Sequence, residues 1–180
     1  ITGKVYDTPV HKLLGGPVRE KARAYTHVFD AEKAKKVVAE GYTGFKTMGM
    51  FSKGAMEVSA AIDELAGRIA ELRETVGPDI NIMIDNHGRA WPSLAIKLIR
   101  AVEDYGIYFF EEPVPPDNLD ALTEVRRKIT GTDLATGERL FSRWDYKQLI
   151  EQQLVDIIQP DVCHCGGISE LRRIAAAAET

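Results

Sequence analysis

Short apolar runs alternate along this chain with longer stretches in which apolar residues return every three or four positions. The short runs are Ala22–Phe29, Phe45–Met48, Ile80–Ile84, Ile107–Phe110, Leu134–Thr136 and Val155–Ile158. Their short length and mostly apolar make-up predict strands buried on both faces. The longer stretches predict helices over Ala31–Glu40, Met56–Val76, Ser93–Tyr105, Asn118–Thr130, Asp145–Gln153 and from Ser169 onward. Val58, Ile62, Leu65, Ile69, Leu72 and Val76 form the clearest helical stripe. Asp30 can cap one helix and Pro92 can open another, while Gly41, Gly77-Pro78 and Gly106 stop helices. The segment to about Arg19 reads as loop, with a glycine-closed helix end at His11–Gly16 and a stopping proline at Pro17.

Six strand–helix units in strict alternation predict a parallel sheet with helices outside it. A doubly wound open sheet and a (β/α)8 barrel both fit that pattern. Three acids separate them. Asp85, Glu111 and Glu138 each close a strand, at intervals of 26 and 27 residues. An open sheet scatters consecutive strand ends, whereas a barrel sets them side by side around one mouth. The expectation is therefore an α/β chain of the (β/α)8 TIM-barrel type, incomplete at about six units. Residues 21–180 form that partial barrel and residues 1–20 lead into it.

Composition narrows the function classes. Apolar residues make up 44% and charged residues 28%, ordinary for a globular domain. A net charge of −4 gives no electrostatic reason to expect nucleic acid or membrane as a partner. Cys163 and Cys165 lack the spacing of a redox or zinc motif. They read as two reduced thiols in a cytoplasmic protein. No stretch reads as a transmembrane span or a signal peptide.

Three anionic oxygens converging on one point suit Mg2+, a hard cation that prefers carboxylate and water. Successive strand residues face opposite ways, so only one of Glu111 and Glu112 can face the mouth. His87 lies two positions past Asp85 and can exchange a proton near neutral pH. Lys46 and His27 also close strands.

Five stretches carry a family resemblance: GYTGFK (Gly41–Lys46), IDNHGR (Ile84–Arg89), FFEEP (Phe109–Pro113), TGERLFSRW (Thr136–Trp144) and IIQPDVCHCGGISELRRIA (Ile157–Ala175). Together, in order and spacing, they resemble the barrel domain of the enolase superfamily. The match lies in the mandelate racemase/muconate lactonizing enzyme-type branch, nearest its sugar-acid (galactonate-type) dehydratases. HKLLGG at His11–Gly16 resembles the connection leaving that family's N-terminal capping domain, which is expected to be absent from this chain.

The resemblance implies Mg2+-dependent dehydration of an aldonate to a 2-keto-3-deoxy acid, by removal of the proton alpha to the carboxylate through an enediolate. The pairing of a Lys or His base with Mg2+ is a property of that superfamily, not a deduction from these residues. It implies Asp85, Glu111 and Glu138 as metal ligands, and Glu112 as a supporting group. It makes His87 the residue that helps the 3-hydroxyl leave. Asp161 would orient a base histidine expected after Thr180. Lys46 would contact the substrate carboxylate, with Arg89, His27 and Arg139 as further substrate contacts. Arg139 could instead pair with a neighbouring carboxylate. Relatives with a Lys-x-Lys base carry a second lysine where Met48 stands, so two-sided racemisation is disfavoured. A racemase, epimerase or cycloisomerase of the same superfamily is the alternative activity, and an inert fragment the alternative to activity. The partner is a small sugar acid, and the full-length protein is expected to form a homo-oligomer.

Overall fold

The computed structural model describes residues 1–51 and 57–180. Six strands form one parallel sheet in sequential order: β1 (Thr26–His27), β2 (Gly44–Met48), β3 (Asn81–Asp85), β4 (Ile107–Glu111), β5 (Leu134–Thr136) and β6 (Ile157–Ile158). Among the described residues strand order never reverses, so they show no switch point of the doubly wound kind. This is the run of neighbours that a (β/α)8 barrel requires, and six of its eight units are present.

Two one-turn helices, α1 (Thr2–Val5) and α2 (Val10–Leu13), occupy the leading segment that the sequence predicts as loop. Gly15 and Gly16, at φ 112° and 87°, end α2 as expected. The other helices follow the strands: α3 (Ala31–Ala39), α4 (Val58–Val76), α5 (Pro92–Val102), α6 (Leu119–Lys128), α7 (Arg143–Glu151) and α8 (Ile168–Glu179). The residue expected to begin the second long helix, Met56, lies outside the described residues. The helix starts are chemically specified. Asp30 accepts from the Lys33 amide and Asn118 from the Ala121 amide. Ser142 and Asp145 form a capping box at α7. Gly77 and Gly106, at φ 75° and 64°, close their helices where a side chain would be strained.

The sheet has two apolar faces. Phe45, Ile82, Ile84, Phe110 and Leu134 face the helices and pack with Leu65, Ile69, Leu72, Leu98 and Ile99, all essentially inaccessible. Burial of each such side chain contributes about 1.5–3 kcal/mol. The opposite face carries a smaller cluster of Met83, Phe109 and Ala135 with Ile157 against it. That second face is the barrel interior. Its upper edge, at the carboxyl ends of the strands, holds the polar residues described next.

The expected and observed strands differ at β1 and β6. The apolar run Ala22–Phe29 contributes only Thr26 and His27 to the sheet, and Val155–Ile158 only its last two residues. Only Val28 of the first run is buried and no residue of the second, and as the two ends of the strand order β1 and β6 each have a single paired neighbour. A register irregularity between Ile82 and Met83 leaves Tyr108 exposed within β4.

Candidate active site

The centre is built by three adjacent strands. Register pairs Met48 with Asp85 and Asp85 with Glu111, so the two acids stand side by side at their strand ends. Lys46 lies two residues before the end of β2, on the same face, and its chain reaches upward. The Lys46 Nζ donates to Asp85 Oδ2 and Glu111 Oε2, each at 2.9 Å. All three side chains are at most 7% exposed. Burial opposes the Lys46 charge, but hydrogen bonds and charge from Glu111 and Asp85 outweigh it and hold the ammonium above its ordinary range. Burial and the like charge of Asp85 raise the Glu111 carboxyl, despite Lys46. Two carboxylates against one ammonium leave a surplus of negative charge in a dry site.

Register also decides between the two glutamates. Glu111 pairs with Asp85 and Ala135 on the interior face. Glu112 follows with φ 41° and is fully buried. It accepts hydrogen bonds from two guanidinium nitrogens of Arg139, Nε at 2.9 Å and Nη2 more closely. Arg139 thus lies against Glu112, and its own charge is favoured there first by that hydrogen bond.

His87 is folded back on Asp85. Its amide donates to Asp85 Oδ1 at 3.2 Å and its Nε2 lies 3.1 Å from Oδ2. A φ of 50°, a conformation histidine tolerates better than most residues, permits this. Asn86, wholly buried, accepts from the Met50 amide at 3.1 Å and donates to the Pro113 carbonyl at 3.3 Å. It joins the loops after β2, β3 and β4. Nothing in the sequence singled it out. Gly49 is needed beside it: a Cβ there would come within 2.7 Å of the Asn86 Cα.

Glu138 stands two residues past β5, half-buried. Among the described residues no group of three or more His, Cys, Asp or Glu side chains is gathered closely enough to hold a metal ion. Asp85 and Glu111 do fit one. They are hard oxygen donors, buried, already meeting at one cationic nitrogen, and in excess of positive charge. Glu138 lies on the next strand end along the same rim. Gly137 before it, at φ 130°, has its carbonyl bound by the Tyr146 hydroxyl.

The remaining candidates lie around this centre. Gln159, just past β6, turns its amide to Glu111, and its Oε1 is buried without a partner. Its place at a strand end was the available signal. Asp161 is exposed and accepts from the Cys163 and His164 amides. Those bonds lower its carboxyl below the usual range. The His164 ring stacks on Phe141 instead of meeting that carboxylate. His27 is on the interior face by its register with Lys46, exposed and stacked on Phe29. Arg89 donates to the Met50 carbonyl at 3.3 Å. Cys163 and Cys165 are free thiols, the first exposed and the second buried.

Comparison with known proteins agrees with this architecture. Residues 30–180 match the family model described as enolase C-terminal domain-like. The chain is 39% identical to D-galactonate dehydratase of Ralstonia pickettii and 37% identical to that of Ralstonia nicotianae. In each case 99% of this chain aligns with 48% of the relative. An enolase from Agrobacterium radiobacter, solved with Na and L-malate bound, superposes with a TM-score of 0.90 at 36% identity, over 99% of this chain and 47% of that one. The 3,6-anhydro-D-galactonate cycloisomerase of Zobellia galactanivorans gives 0.87 at 31%, over 98% and 49%. The chain spans about half the length of the curated relatives it matches. An interior-facing acid pair at adjacent parallel strand ends and a family match over most of the chain agree: this chain belongs to the enolase C-terminal domain-like family.

Proposed function

We propose that the protein carrying this chain is a sugar-acid dehydratase, removing water from an aldonate to give a 2-keto-3-deoxy acid. The observation that carries the reading is the meeting of Asp85, Glu111 and Lys46 within 2.9 Å contacts, with His87 on the same aspartate. The two curated dehydratases of Ralstonia support the substrate class.

Asp85 and Glu111, with Glu138 from the neighbouring rim position, would hold Mg2+. Bound there, Mg2+ would supply positive charge to the substrate carboxylate as the alpha carbon loses its proton. Lys46, which donates to both acids, would add an ammonium to the same place as a counter-charge. His87, whose Nε2 lies 3.1 Å from Asp85 Oδ2, would give a proton to the departing 3-hydroxyl. Asp161 would orient the imidazole that takes the alpha proton. Met48, in register with Asp85, offers no second base on that face. The interior below this rim carries the apolar side chains of Met83, Phe109, Ala135 and Ile157. Two free thiols support a reducing compartment such as the cytoplasm. Among the described residues no helix is long and apolar enough to cross a membrane.

The test is a panel of aldonates and aldarates, offered with Mg2+ to the complete protein and read for keto-acid product. Glu111→Gln should abolish that product, and unchanged turnover would refute the assignment. The cycloisomerase neighbour motivates the second reading. A product of unchanged mass, instead of one lighter by a water, would establish it.

A further inference from the structure

The Arg139–Glu112 pair does more than neutralise a buried acid. Glu112 is 0% exposed while 45% of the Arg139 side chain is exposed, so the charge pair bridges interior and rim. Each partner adjoins a candidate ligand, Glu112 beside Glu111 and Arg139 beside Glu138. Above the pair runs the His87 turn. The Gly88 amide donates to the Glu112 carbonyl at 2.8 Å. A Cβ on Gly88 would lie 3.0 Å from both Arg139 Nη2 and the Pro115 Cα. With φ at 63°, Gly88 is a position that only glycine occupies without strain. Three successive loops therefore close on one guanidinium.

We propose that Arg139 and Glu112 are positioning residues: a clamp that fixes the spacing of the β4 and β5 strand ends and seats the His87 turn upon them. Groups that orient ligands from behind typically change metal affinity by roughly 10- to 100-fold when removed. The bidentate fork specifies distance and plane together, which a lysine cannot reproduce. Arg139 is accordingly assigned to Glu112 and not to the substrate. The metal and turnover arms of the test rest on the dehydratase reading; the exchange arm does not.

The complete protein would be compared with Arg139→Met, Arg139→Lys and the double variant Glu112→Gln/Arg139→Met. The double variant leaves no lone charge buried, so it guards against simple unfolding, checked by circular dichroism. Backbone hydrogen exchange over residues 85–89 should speed up at least tenfold in both Met-bearing variants, without any metal. Mg2+ affinity, measured by calorimetry without substrate, should fall roughly 10- to 100-fold. The kcat should fall with KM within about twofold, and Arg139→Lys should recover only part of each loss. Exchange that stays as in the parent protein overturns the clamp, whatever happens to Mg2+ affinity. A rise in KM alone, with exchange and Mg2+ affinity unmoved, overturns it in favour of a substrate contact. If the parent protein binds no Mg2+ and makes no keto acid, the dehydratase reading fails, and the exchange result alone supports or overturns the clamp.

Discussion

Asp85 and Glu111 are register partners at the ends of neighbouring strands, and both reach one Lys46 nitrogen at 2.9 Å. Parallel pairing of β3 and β4 gives the two acids the same height and the same face. The ammonium between them is an internal cation placed where two buried carboxylates need one.

Lys46→Met should therefore destabilise the metal-free protein. Breaking a buried ion pair from one side costs about 3–5 kcal/mol, because the charges left behind stay buried. The measurement is urea unfolding in the presence of a chelator. Added Mg2+ should then raise the Tm of the variant more than that of the parent protein, since the cation restores the missing charge. Equal Mg2+ shifts in both proteins would count against a shared cation position.

His87→Asn should separate two steps. Removing a general acid lowers the rate by roughly 10²- to 10⁴-fold. If His87 acts only on the departing hydroxyl, exchange of the alpha hydrogen with deuterated solvent persists while keto-acid formation falls. Loss of both in parallel would make His87 part of alpha-proton removal instead. The readout is substrate deuterium content by mass spectrometry, alongside product yield.

Gly137→Ala should strain the turn that carries Glu138. At φ 130° a Cβ would meet the Tyr146 ring at 2.9 Å and the Gln159 amide nitrogen at 3.2 Å. Backbone strain and overpacking together cost about 2–4 kcal/mol. Thermal unfolding checks this. A Tm within error of the parent would show that the β5 end yields more easily than its packing implies.

Glu170 joins α8 to α7 by accepting from the Arg143 amide and guanidinium, with Arg173 as a further donor. The Arg143 amide bond, then Arg173, hold its carboxyl below the usual range. A depressed carboxylate stabilises the fold above its unfolded pKa, near ~4.3, and loses that contribution as pH falls through its lower folded value. The Tm of Glu170→Gln should therefore lie below the parent's at neutral pH, and the gap should close on acidification through that window. A gap that persists at the acid end would exclude this linkage.

Much of the site was legible because each of its acids closes an apolar run. Strand ends are where parallel α/β folds place chemistry, so Asp85 and Glu111, which the structure brings to one nitrogen, could be named from spacing, with Glu138 as a further candidate on the rim. What spacing lacks is phase. Period-two alternation says that Glu111 and Glu112 part, not which one turns inward; the Asp85–Glu111 register decided it. Arg139 is similar. Its place after a strand end suggests a substrate contact or an ion pair equally, and only the buried Glu112 beneath it distinguishes them. Asn86 lies in one of the family-like stretches but drew no role of its own, because its partners, Met50 and Pro113, come from loops far away in sequence.

Local chemistry determined the order of elements here: alternating apolar periods, the Asp30 and Asn118 caps, Pro92 at a helix start, and glycines at φ above 60° where helices stop. These depend on neighbours a few positions apart, which a sequence displays directly. Tertiary structure alone decided that Lys46 threads between two acids, that β1 pairs over only two residues, and that Arg139 closes on Glu112. Each depends on the distance between chain segments that meet only through the sheet, and free energies of that kind belong to the packed assembly and not to any local stretch.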